Sequence, residues 1–117
     1  MNESDLLPRT KQFALRIIRL FGRLPKQTEA QVLDKQLLRS GTSVAANYRE
    51  SCRARSDAEM IAKLAIVEQE LDESMLWMEL LGESEIVRRE LLAELLDEAE
   101  QLLKMTVASI KTIKSHR

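Results

Sequence analysis

Apolar residues recur along this chain at helical spacing almost from end to end. From about Pro8 to Leu24, Phe13, Ile17, Leu20, Phe21 and Leu24 fall three or four apart, and Gly22 and Pro25 then stop the pattern, which predicts a first helix. Thr28 opens a second helix with TEAQ, a capping box in which Thr28 and Gln31 would each satisfy a backbone N–H. Val32 or Leu33, Leu37, Val44, Tyr48 and Cys52 carry the spacing across Gly41 without loss of phase. One continuous helix to about Ala54 is expected, with Gly41 costing about 1 kcal/mol in propensity and permitting close approach of a neighbour. Ser56 begins a second box, SDAE, and a third helix runs to Leu81 with Gly82 as its stop. A fourth begins between Ser84 and Glu90 and carries Leu92, Leu95 or Leu96, Ala99, Leu102 or Leu103, Val107 and Ile110, ending among Lys111, Lys114 and Arg117. Four helices with short joins predict an all-α, antiparallel up-and-down four-helix bundle, a single domain over residues 1–117.

The third helix is apolar on two sides. Met60, Leu64, Val67, Leu71, Met75 and Met78 suffice to cover a bundle core. Ala62, Ile66, Gln69, Glu73, Leu76, Trp77 and Leu80 form another stripe, and in one small bundle Ile66, Leu76, Trp77 and Leu80 would stand in water. A subunit interface built on these four is the expected cover, unless the fourth helix reaches over them; Trp is also enriched at interface hot spots.

The stretch LRSGTSVAANYRESCRARS, residues 38–56, brings charge into this picture. On the second helix Arg39, Ser43, Asn47, Glu50 and Arg53 share the side away from Leu37, Val44 and Tyr48, with Arg49 at the margin. Glu73, set within the outer stripe of the third helix, would be costly to bury unpaired. A structural polar network of Ser43, Asn47, Glu50 and Glu73 at a helix contact is therefore expected. Arg39, Arg49, Arg53 and Arg55 are the candidate contacts for an anion or nucleic acid, because arginine binds phosphate bidentately. Residues 1–63 hold twelve Lys/Arg and seven Asp/Glu, and residues 64–117 hold six and twelve, so a net charge of −1 conceals a basic half and an acidic half. These either offer a basic surface to an anionic partner or neutralise one another within the bundle or across subunits.

Most catalytic chemistry lacks its residues. Di-metal four-helix bundles use Glu-x-x-His, and here the single histidine is His116. No phosphate-binding glycine loop, Cys-x-x-Cys or Ser-His-Asp set occurs, and nothing singles out a catalytic carboxylate pair. No catalytic residue, cofactor or metal site is expected. Four aromatic residues are too few for a base-stacking platform. Cys52, the only cysteine, reads as a packed structural thiol in a reducing compartment. No apolar run approaches a membrane span and the start MNESDLL lacks the marks of a secretory signal, so a cytoplasmic protein without membrane contact is expected.

SGTSVAANYRESCRARS followed by AKLAIVEQELDESMLWMELL resembles the signature of the bacterial four-helix-bundle proteins related to the protein encoded in 23S rRNA intervening sequences. The resemblance runs from about Phe13 to Ile113. It implies an up-and-down four-helix bundle, commonly a homopentameric ring, with no enzymatic activity established. The family pattern falls on Ser43, Asn47, Tyr48, Arg49, Glu50, Arg53 and Ser56, then on Lys63, Glu73, Trp77, Glu79 and Leu80. Some relatives, accessory proteins of diversity-generating retroelements, are strongly basic and bind nucleic acid; this chain, at −1, departs from them. A non-catalytic oligomeric scaffold or interaction module is therefore the expected role, with an RNA- or DNA-binding accessory protein as the alternative.

Overall fold

The computed structural model describes residues 3–24 and 26–116. Pro25, the expected stop of the first helix, and Arg117, an expected terminal cation, lie outside these residues. The described chain forms four helices, α1 (Glu3–Phe21), α2 (Thr28–Cys52), α3 (Asp57–Glu83) and α4 (Arg89–Ser115). They pack into a rod of 49 × 21 × 19 Å. Each helix packs against its two neighbours around a square, α2 on α3 most extensively and α1 on α4 least. The pairs Glu50–Lys63 and Arg39–Glu73 run in opposite senses along α2 and α3, as antiparallel packing requires.

The core follows the predicted spacing. Phe13 and Ile17 of α1, Leu37, Val44 and Tyr48 of α2, Leu64, Val67, Leu71 and Met78 of α3, and Leu92, Leu95, Ala99 and Leu102 of α4 are all buried. Where the sequence offered two candidates, Leu33 packs against the core and Val32 is 57% exposed, and Leu95 is buried while Leu96 packs at its edge. Gly41 is buried in mid-helix, and a Cβ there would fall on Ile17 Cδ1. That missing side chain lets α1 and α2 approach closely enough to exclude water between them.

Several helix ends differ from expectation. α1 begins at Glu3 and passes through Pro8, tolerated because Pro8 lies so near the start that only one intrahelical bond is lost; the helix ends at Phe21, before Leu24. The TEAQ box does not form. Gln27 is the N-cap with extended backbone and no side-chain bond, so Thr28 already sits inside the first turn and cannot reach forward. The SDAE sequence does cap α3: Ser56 Oγ accepts from Glu59 N–H at 3.1 Å, while Glu59 returns to the N–H of Arg55, one residue before the cap, at 3.3 Å. α2 stops at Cys52 with Arg53 as its C-cap, short of Ala54. α3 runs through Gly82, which is buried beside Arg89 and Leu92 instead of ending the helix. The turn is made by Glu85, which takes the left-handed conformation at φ 63° while Glu85 N–H and Val87 N–H return to the carbonyls of Gly82 and Leu81.

Cys52 is exposed, not packed. It is the last residue of α2, where the bundle wall ends, and Ser51 occupies the buried position with its hydroxyl 2.6 Å from the Tyr48 carbonyl.

Candidate functional site: a polar seam between α2 and α3

The outer edge of the α2–α3 contact carries a cluster of charged and hydroxyl side chains. Arg39 spans the two helices, donating from Nη1 to Glu70 Oε2 at 2.9 Å and from Nη2 to Glu73 Oε1 at 2.8 Å. Gln36, one turn earlier, accepts a long bond from Arg39 Nε at 3.4 Å. Beneath the guanidinium the seam becomes dry. The Glu70 side chain is 9% exposed against 32% for Glu73, and Ser40 and Ser74 are fully buried. Their hydroxyls lie 2.8 Å apart, and Ser74 also reaches the Glu70 carbonyl at 2.8 Å while Ser40 reaches that of Leu37 at 3.3 Å. With two hydroxyl protons and these acceptors, each serine can be satisfied without water. Small residues at 40 and 74 let the backbones close, and the cluster then holds one register of α2 on α3.

The other expected members of the network lie elsewhere. Asn47 Nδ2 donates to the Ser43 carbonyl and to Ser43 Oγ, both at 2.9 Å, a local arrangement within α2. Glu50 faces Lys63 Nζ at 3.6 Å. Neither Ser43, Asn47 nor Glu50 reaches Glu73. Glu70 and the serine pair were missed from sequence. Glu70 follows Val67 by three residues and stands on the same core side as Leu71 and Ser74, a spacing signal that could have exposed it.

Arg39 is thus engaged by two carboxylates. Arg49, Arg53 and Arg55 are exposed, and among the described residues none of their guanidinium groups has a carboxylate within 4 Å, although the Arg55 backbone N–H donates to Glu59. Of the outer stripe on α3, Ile66, Leu76 and Leu80 are 37%, 46% and 39% exposed. Trp77 lies differently: it is half-buried and packs against the core, with its indole Nε1 buried and unpartnered. Ion pairs also join the basic and acidic halves on the opposite edge, where Arg9 grips Glu98 with two nitrogens and Arg16 lies 3.6 Å from Glu94. The Glu98 hydrogen bond raises the Arg9 pKa above its ordinary value.

One titratable side chain stands apart. Asp34 is buried on α2 with Oδ1 unpartnered, and burial raises its pKa to about 6. Among the described residues no cluster of three His, Cys, Asp or Glu side chains could hold a metal, and no helix is long and apolar enough to cross a membrane.

These features define an all-helical bundle whose best-organised polar cluster fastens helix to helix. Residues 2–108 match the 23S rRNA-intervening sequence protein family, and the chain belongs to that family. It is similar to a crystal structure of a protein of unknown function from the S23 ribosomal protein family of Bacteroides thetaiotaomicron VPI-5482. The two are 36% identical, with a TM-score of 0.85 over 91% of this chain and 98% of that one. Comparison with curated proteins finds no match.

Proposed function

We propose that this protein is a non-catalytic scaffold or interaction module that acts as a homo-oligomer, assembled through the outer face of α2 and α3. The observation that carries this reading is the exposure of Ile66, Leu76 and Leu80 on one side of α3. Val32 adds to it: it stands on the α2 turn that the antiparallel register sets opposite Leu80. Large aliphatic side chains so placed lose contact with water when a second copy covers them. Trp77 forms the wall beneath them, and the Arg39–Glu70–Glu73 cluster lies in the same face, able to fix orientation between subunits. A closed ring of five is the assembly proposed, in a reducing cytoplasmic setting.

Replacing both Leu76 and Leu80 with Lys should split the oligomer into folded single chains, because both side chains are already partly in water and contribute little to the core. Light scattering coupled to size exclusion reads the mass, and circular dichroism the fold. An unchanged mass in the double variant contradicts the interface.

A second reading rests on Arg49, Arg53 and Arg55, which are exposed around the C-terminal end of α2, their guanidinium groups in no ion pair among the described residues. In it these arginines hold RNA phosphates. Titration with RNA at rising salt separates the readings, since binding through phosphates must weaken steeply with salt.

A further inference from the structure

The loosest seam of the bundle, between α1 and α4, opens near the C-terminal end of α1 into a cleft of about 400 Å³. That volume falls in the range of small-molecule sites. Its lining is of two kinds. Arg16, Arg19 and Arg23 approach from α1 and the turn that follows, and Arg88 from the start of α4, against only two acids, Glu90 and Glu94. Glu94 lies 3.6 Å from Arg16, while among the described residues Arg19, Arg23 and Arg88 have no carboxylate within 4 Å. The remaining wall is aliphatic, with Leu20 and Leu95 at the base, Leu24 and Ile86 at the sides and Leu91, 54% exposed, at the rim.

Four guanidinium groups around a small concavity carry a mutual repulsion that an anion relieves, and each can donate charge-assisted hydrogen bonds to phosphate oxygens. The α4 N-terminus, which no side chain caps, adds partial positive charge at the same place. A bare inorganic anion would leave the leucine wall in water. We propose that this cleft binds a phosphomonoester with an apolar or aromatic body, the phosphate held by Arg19, Arg23 and Arg88 and the body lying on Leu91, Leu24 and Ile86. The cleft is on the edge of the square opposite the α2–α3 face, so it stays open in an oligomer built on that face and does not depend on one.

The test is calorimetric titration of the full chain with 1-naphthyl phosphate, inorganic phosphate and 1-naphthol in turn. The expected result is saturable binding of one 1-naphthyl phosphate per chain, at least about tenfold tighter than either fragment, as both halves of the site contribute. Arg19→Gln with Arg88→Gln should weaken it about tenfold or more, Leu91→Glu should also weaken it, and Arg53→Gln at the other end of the rod should leave it unchanged. All of these positions are exposed, and circular dichroism confirms the fold of each variant. No saturable binding, equal affinity for inorganic phosphate, or an affinity that the Arg19/Arg88 variant retains overturns the proposal.

Discussion

Among single residues, the α2–α3 seam gives a graded expectation. Glu70 is the more deeply buried of the two carboxylates on Arg39, so removing its charge strands more of the guanidinium's hydrogen bonding than removing that of Glu73. Glu70→Gln should cost about 1–3 kcal/mol, Glu73→Gln at most about 1 kcal/mol because solvent screens that pair, and Glu79→Gln, exposed and in no ion pair among the described residues, close to nothing. Thermal melts of the three variants rank them, and an unaffected Glu70→Gln sinks the seam as a structural device. Asp34 makes the opposite contribution. Its folded pKa of about 6 lies above the unfolded value, so the folded state binds more protons between the two and stability falls as pH rises through that window. The melting temperature should therefore climb from pH 7.5 to pH 5.5 relative to Asp34→Asn, whose own profile lacks this component; parallel profiles contradict it. Glu73 was legible as a carboxylate in need of a partner, and Arg39 only as one of several arginines on the polar side of α2. Glu70 and Asp34 were not: the helical period puts Glu70 on the core side with Leu71 and Ser74, but gives no account of why a charge should stand there.

Among helices, the 3.6-residue period carried most of the information. It placed most core residues of all four, though Phe21 is exposed and Thr106 is buried in place of Val107, and it carried α2 correctly across Gly41, whose absent Cβ is the reason α1 fits so closely. Gly41→Ala should gain about 1 kcal/mol of helix propensity and lose about 1–3 kcal/mol to the clash with fully buried Ile17, for a lower melting temperature overall; Ile17→Val in the same chain should recover part of the loss. A Gly41→Ala protein more stable than the parent contradicts the close contact. Helix ends were less legible. The cap at Ser56 formed and the box beginning at Thr28 did not, since a cap depends on whether the preceding turn holds the residue outside the helix. Gly82 read as a stop and proved to lie inside α3, buried beside Arg89 and Leu92, while Glu85 accepted the left-handed backbone. The end of α2 at Cys52 likewise left that thiol beyond the wall that would have buried it.

For the whole molecule, basic and acidic halves are partly neutralised inside one bundle, with Arg9 and Arg16 of α1 paired to α4 and Arg39 of α2 paired to α3. Among the described residues, two groups of arginines whose guanidinium groups have no carboxylate within 4 Å lie toward the two ends of the rod, Arg49, Arg53 and Arg55 at one and Arg19, Arg23 and Arg88 at the other. The first group stood out in the sequence as a cluster. The second did not, because its members are some 65 residues apart along the chain and meet only when α1 and α4 pack. The outer stripe of α3 was legible as an apolar face too many for one bundle, and Ile66, Leu76 and Leu80 are exposed on it. Its burial by other copies of the chain is the central claim, and the mass of the purified protein in dilute buffer tests it most directly. Light scattering should return a single species at a multiple of the 13.4 kDa chain, about 67 kDa for a ring of five; a monodisperse 13.4 kDa species would contradict it.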